Sequence, residues 1–410
     1  MAGFHHYKDK IVTLLPNKKV KEQNEDKEQK DSMRKQLQRH RMLIFYRFVI
    51  VLSIIIATAV ISYVKWKNKV YTDYEVVYSV PWTRTDSMTS IQLDNTIFSY
   101  TKDGMSCTDS KGTVLWNVTY EMQNPIVRTC KNVVAVGDYN GRKIYLCNTS
   151  KALGQIDTTI PIRDFCVSAD GVVAAVLDDS TVTAIYLYDM NGKQLAYFKT
   201  TMSKSGYPLA LDISDNSEMV ALSYLQANNG TVSSSVAFYN FSSVGQNYTD
   251  NLVGGYGYAD AIVPFVSFMN DETVFAVADN RLMLYEGNQT PVNVADVLIS
   301  EEIQGIYYNE NYIGLVFYNT QGGTQYRLDI YDSRGKKVNE IAYDMDYTNI
   351  QLEKECIIIS NDATCEIYNW NGKRKYQGDF KERVYAIIPT GTTTKFTVVT
   401  EDAIQTVELR

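Results

Sequence analysis

The chemistry this chain can perform is limited first by where its histidines lie. All three, His5, His6 and His40, precede residue 42, and residues 71–410 contain none. A Ser–His–Asp or Cys–His arrangement therefore lacks its base in that long segment. His-ligated zinc or copper lacks its ligands there. His5-His6 reads as an isolated surface pair. Carboxylates remain, and two facing a common cleft can divide acid and base roles, as in glycoside hydrolysis. Asp164, Asp212 and Asp260 are the candidates, although no motif pairs any two of them, and solvated or turn-capping roles are the alternative. Asp178-Asp179 reads as an ordinary turn rather than a calcium loop, which needs a DxDxDG pattern. Gly254-Gly255-Tyr256-Gly257 lacks the lysine and helix of a phosphate loop. The Asn-x-Ser/Thr sites at Asn117, Asn240 and Asn247 suggest no role. No catalytic residue, metal site or cofactor is expected.

The elements that carry these residues divide the chain sharply. Residues 42–64, MLIFYRFVIVLSIIIATAVISYV, hold one charge, Arg47. About 20 apolar residues in a helix span a bilayer's hydrocarbon core, and Arg47 near one end can reach the headgroups. A cleaved signal peptide is the rival reading, with Ala57-Thr58-Ala59 as its cleavage site. The long polar tail and the apolar run on to Val64 favour an uncleaved anchor. Residues 1–42 carry 11 Lys/Arg against 6 Asp/Glu, whereas residues 71–410 carry 25 against 41. The excess of basic residues before the span predicts a cytoplasmic N-terminus and an extracellular C-terminal part at the cell membrane. So acidic a domain argues against a nucleic-acid partner. The expected division is a basic tail over 1–41, helical or disordered, a transmembrane helix over 42–64, a linker over 65–73 and a β domain over 74–410. The lipid bilayer is the partner expected of residues 42–64.

Beyond Tyr71, short alternating runs rich in Val, Ile, Tyr and Thr recur between turn signals, as strands do. Eight hairpin tips, near Asp103, Asn140, Asp179, Asn229, Asp279, Gly322, Asp362 and Glu401, follow one another at 37 to 50 residues. A four-stranded propeller blade takes about 40–45 residues. Seven of the tips are followed by a second turn, such as TDSKG (108–112), YDMNG (188–192) or YDSRG (331–335). In several of them an Asp or Asn stands two or three residues before a Gly, so that the Asx side chain can cap the backbone and Gly accept positive φ. The last unit is one strand short, and YEVVYSV (74–80) can supply it. The expected fold is all-β: an eight-bladed β-propeller, with seven blades as the alternative, closed by an N-terminal strand and preceded by one transmembrane helix.

The run Thr108–Trp116 (TDSKGTVLW) resembles the repeat of quinoprotein-like propellers, which include the pyrroloquinoline-quinone alcohol dehydrogenases and an outer-membrane assembly lipoprotein. LYDMNGKQL (187–195) and IYDSRGKKV (330–338) match more loosely. The whole plan of tail, anchor and degenerate propeller resembles an uncharacterised family of single-pass proteins from Gram-positive anaerobic bacteria. Quinone chemistry would need a calcium site and a stacking Trp in the pore. Only Trp82, Trp116 and Trp370 are available beyond residue 70, with Trp116 and Trp370 expected at the periphery. Trp116 alone occupies the docking position at which such repeats carry Trp.

Six cysteines, at 107, 130, 147, 166, 356 and 365, form no CxxC pattern and read mostly as small apolar core residues. Cys356 and Cys365 flank one hairpin and are the pair a disulfide would join. The remaining signal is binding. Long loops rich in Gly, Asn and Tyr gather on the tip face, a mixture suited to adaptable contacts. Tyr207, Asn228, Asn229, Tyr256, Tyr258 and Gln321 are the candidate binding residues. The functional expectation is a non-enzymatic binding or scaffold module for an extracellular protein or a cell-envelope glycan. A carbohydrate-active enzyme using pore carboxylates is the alternative.

Overall fold

In this computed structural model the described residues are 18–410, except 68, 86, 180–182, 201–204, 229 and 321. The chain divides into two units, residues 1–69 and 70–410. In the first, one helix, α1, runs from Lys18 to Lys67. Within it, Gln29–Lys65 is long and apolar enough to cross a membrane, and none of that stretch is buried. Leu43, Phe45, Phe48, Ile54 and Ile61 all point outward.

The second unit is a ring of eight four-stranded antiparallel sheets. Blades 1 to 7 occupy residues 89–119, 125–157, 162–200, 207–258, 265–298, 303–343 and 349–379 in sequence order. Blade 8 takes its inner three strands from 384–409 and its outer strand from Tyr74–Pro81, which pairs with Ala403–Leu409. The ring thus closes on its own N-terminal strand, leaving only short edges. Each strand is short because each blade is only one inter-tip interval long.

Both faces of every blade are covered by a neighbour, so the apolar core is eight seams rather than one mass. Phe98 and Val134 meet between blades 1 and 2, Phe165 and Val133 between 2 and 3, and Phe238 and Tyr285 between 4 and 5. Ile97 and Val399 meet where blade 8 adjoins blade 1.

In blades 1, 3, 6 and 7 the turn between the third and fourth strands is capped in the same way. Asp109 accepts hydrogen bonds from the amides of Lys111 and Thr113, and Asp189, Asp332 and Asn369 repeat the pattern. The glycines that end these turns, Gly112, Gly192, Gly335 and Gly372, all have φ between +73° and +82°, which a Cβ would strain. A β-bulge after the turn then sets one residue of the outer strand against the next blade. In blade 1 that residue is Trp116, whose indole N–H donates to the Asn148 carbonyl of blade 2 at 2.8 Å. In blade 2 it is Gly154, where a Cβ would overlap the Met190 carbonyl of blade 3. In blade 6 it is Asn339, whose amide donates to the Trp370 carbonyl of blade 7. Blades 2 and 6 therefore dock through residues other than Trp.

The disulfide expected between Cys356 and Cys365 is absent, and all six thiols are free. Cys365 lies opposite Ser360, four residues from Cys356. That is roughly 13 Å along a strand, beyond the reach of a disulfide. Both cysteines are instead packed in the seam between blades 7 and 8.

Candidate functional site

The innermost strands surround a central channel. On the side of blades 2 to 6 it widens into a cavity of about 380 Å³, whose wall includes Arg128, Asp164, Cys166, Leu211, Asp212, Ser267 and Tyr308. The inner strands present their edges to the channel, so consecutive residues such as Leu209 to Asp212 and Pro264 to Ser267 line the wall, and register shifts at Ile162/Asp164 and Pro208/Ala210 re-aim the residues that follow.

Two carboxylates sit on this wall in different environments. Arg128 reaches from blade 2 to Asp164 on blade 3, with Nη2 2.8 Å from Oδ1, and the Phe165 amide donates to the same oxygen. Asp212 accepts from Ser267 Oγ at 2.7 Å, from the Phe268 amide at 2.8 Å and from the Ile213 amide at 2.9 Å. Loss of bulk water raises its pKa to about 6. The three hydrogen bonds pull the other way, and the nearby Asp215 adds to the rise. The group keeps partial exposure to the cavity, so the surroundings are wet but enclosed. Tyr308 shows the same dual character. It is 43% exposed, yet its surface looks into the channel, and burial by the surrounding wall pushes its hydroxyl up to about 12. The hydroxyl lies 2.9 Å from Ser267 Oγ.

The thiols here are poor nucleophiles. Burial raises Cys166 well above the ordinary thiol range, with Asp212 and Asp164 adding to it. Cys130 is also raised by burial, and its Sγ donates to Asp215 at 3.0 Å. Lys131 holds the other oxygen of Asp215 at 2.7 Å.

A second polar group lies at the mouth of the channel on the tip face. Arg163, at the start of the inner strand of blade 3, contacts the Asp178 carboxylate at 3.3 Å and the Tyr139 hydroxyl at 3.4 Å. It also binds Asn140 Oδ1 and stands 5.6 Å from the Tyr139 ring centre. Tyr207 of blade 4 reaches the same Asp178 oxygen at 3.5 Å. Blades 2, 3 and 4 thus meet in one arginine–tyrosine–carboxylate cluster, in which Tyr139 is 41% exposed. Among the described residues no group of three His, Cys, Asp or Glu side chains could hold a metal ion.

A family model covers this whole ring, matching residues 67–409. The chain belongs to the family of unknown function DUF5711. No curated protein matches it in sequence. Among solved structures it is similar to BamB from Moraxella catarrhalis, at 14% identity and TM-score 0.47, covering 82% of this chain and all of that one. A eukaryotic initiation factor shares 12% identity at TM-score 0.48, over 72% of this chain and 78% of that one. The tricorn protease shares 13% identity at TM-score 0.47, over 72% of this chain and 34% of its own.

Among this family member's expected binding residues whose side chains are described, only Tyr207 joins the channel-mouth cluster. Tyr258 is buried between blades 4 and 5, its hydroxyl 2.6 Å from that of Tyr285. Tyr256 is half-buried in the same seam and donates to the Pro291 carbonyl. Both face the neighbouring blade because they lie two apart on an outer strand. Asn228 lies opposite Thr231 in the blade 4 hairpin, its side chain outside the described residues, as are Asn229 and Gln321. Asp164 and Asp212 share the cavity wall, whereas Asp260 is paired with Arg281 at 2.9 Å and lies outside it. Arg128, Arg163, Ser267 and Tyr308 were not anticipated. Their one signal is a polar side chain on an inner strand.

Proposed function

We propose that this protein is a membrane-anchored, non-enzymatic binding module, its propeller outside the cytoplasm and its tip face receiving a protein partner. The charge asymmetry about residues 42–64 supports the orientation. The cluster of Arg163, Tyr139, Asp178 and Tyr207 carries the binding reading, because arginine and tyrosine concentrate interface energy and three blades converge on it. The channel carboxylates are already engaged by Arg128, Ser267 and backbone amides, which favours binding over catalysis. Crosslinking on intact cells tests this. The wild-type chain should capture a defined protein, and Arg163→Ala with Tyr139→Ala should reduce recovery about tenfold at unchanged expression. Equal recovery by the variant ends the tip-face reading, and a C-terminal region that whole-cell protease leaves intact ends the orientation.

One observation favours a second reading. Asp212 has its pKa raised to about 6 on the same wall as Asp164, and a carboxyl so raised can serve as a general acid. A carbohydrate-active enzyme would then release reducing sugar from cell-envelope glycan, and Asp212→Asn would abolish that release.

A further inference from the structure

The channel cavity, at about 380 Å³, falls within the ~300–1,000 Å³ usual for small-molecule sites, and its wall is unbalanced in charge. Arg128 is the one cation on that wall, against the carboxylates of Asp164 and Asp212. Cys166 and Tyr308 keep their protons at neutral pH, because burial raises both. Arg128 is taken by Asp164 at 2.8 Å. Lys131, below the wall, is taken by Asp215 at 2.7 Å. Asp212 has no ion-pair partner among the described residues. Ser267 and two backbone amides hold it, all of them neutral donors, and the nearby Asp215 is a like charge. We propose that this cavity binds an organic ammonium ion. The proposal goes beyond the tip-face reading and does not rest on catalysis by Asp212.

Hydrogen bonds from neutral donors orient a carboxylate but leave its charge uncancelled. A charge drawn away from bulk water without a counter-ion is costly, and a cation entering the cavity removes that cost. The groups it would meet are within its reach. The Asp164 side chain is 33% exposed. Both of its hydrogen bonds fall on Oδ1, so its Oδ2 takes none from any described residue. Asp212 is partly exposed, and its Oδ1 accepts only from the Ile213 amide, which leaves room for a further donor. Tyr308 turns its exposed surface to the channel, and the Phe265 ring stands edge-on to it at 5.9 Å.

The chemistry of the wall selects the kind of cation. A hard metal ion asks for about six or more oxygen ligands, and no group of three His, Cys, Asp or Glu side chains among the described residues could hold one. An anion would meet Asp164 and Asp212. Leu209, Leu211, Pro264 and Val266 make the rest of the wall apolar, which suits a hydrocarbon body and not a bare ion. An alkylammonium ion matches both halves. Its N–H groups donate to the carboxylates, its carbon chain lies on the apolar side, and an aromatic face such as that of Tyr308 attracts the charge. The acidic balance of residues 71–410, 25 Lys/Arg against 41 Asp/Glu, draws cations toward the ring.

The test is calorimetry near neutral pH on the full chain in phosphatidylcholine nanodiscs, which carry no net charge to attract amines. The probes are n-butylamine, cadaverine and benzylamine, with n-butanol as the uncharged control. At least one amine should bind saturably, and n-butanol should not. Asp212→Asn keeps the shape and removes the charge, and should weaken binding at least tenfold. Asp164→Asn leaves Arg128 as an opposing charge and should weaken it at least fivefold. Should Asp212→Asn fold poorly, Asp164→Asn decides. Arg163→Ala with Tyr139→Ala should bind amine as the wild type does, since neither residue lies on the cavity wall. No saturable binding by any amine, equal binding of n-butanol, unchanged affinity in the aspartate variant, or loss of binding in the tip-face variant overturns the proposal. Each of these results leaves the tip-face reading to its crosslinking test and the catalytic reading to sugar release.

Discussion

The seams between blades 4 and 5 and between blades 6 and 7 are built alike and finished differently. Each packs tyrosines of one blade against the next. Between blades 4 and 5, Phe238 and Tyr256 stand 5.0 Å and 5.1 Å from Tyr285, and the Tyr258 and Tyr285 hydroxyls satisfy each other. Between blades 6 and 7, the Tyr343 hydroxyl is left alone beside Glu366 and a cavity. A buried tyrosine paired with another serves the fold. One left without a partner costs the fold part of its desolvation energy. The same residue type thus carries opposite meanings, decided by what stands across the seam.

The largest effect that would test this contrast is in the closed seam. Phe238→Ala removes a fully buried ring and should lose about 3–5 kcal/mol in urea unfolding. A loss below about 1 kcal/mol would show that this seam is as loose as the other. Gly154→Ala tests the rim of another closed seam, between blades 2 and 3. Its Cβ would press on the Met190 carbonyl, and destabilisation of about 2–3 kcal/mol is expected by the same measurement.

The channel provides a contrast in pH. Asp212 has its pKa raised from 3.8 to about 6, so between those values the folded protein holds a proton that the unfolded chain has released. Stability from this group is therefore greatest below about pH 4 and falls as pH rises through about 6. The total is on the order of 2 kcal/mol, reduced because the carboxyl faces a wet cavity. Asp212→Asn lacks this loss, so its stability relative to wild type should improve between pH 4 and pH 7. Denaturation of both proteins at the two pH values measures it, and a relative decline would contradict the assignment.

The smallest effects separate the two kinds of tyrosine directly. Tyr285→Phe strips a partner from Tyr258 and should destabilise by about 1–2 kcal/mol. Tyr343→Phe loses no hydrogen bond within the protein and should fall within about 0.5 kcal/mol of wild type, or be more stable. Equal losses in both variants would erase the distinction between the seams.

Much of the ring was legible before any coordinates. Asp109, Asp189, Asp332 and Asn369 signal their turns through chemistry spanning four residues, and the tips recur at blade length. Tyr74–Pro81 could be read as the missing eighth outer strand because the last unit ended short. The candidate site was far less legible. Tyr256 and Tyr258 looked like loop tyrosines in a Gly-rich run, yet they belong to a strand that faces blade 5. Arg128 and Asp164 lie 36 residues apart, and no pattern within either strand links them.

By itself, then, the sequence determined the apolar helix, the repeat interval, the turns and the closing strand, since each depends on neighbours in the chain or on a regular spacing, and the structure settled eight blades over seven. Only the tertiary structure decided which tyrosines are core, which carboxylates share a wall and which cysteines stay apart. Both faces of every propeller blade are buried against another blade. The alternation that separates core from surface in a one-sided sheet therefore cannot say which side chains meet across a seam, and those meetings make the cavities.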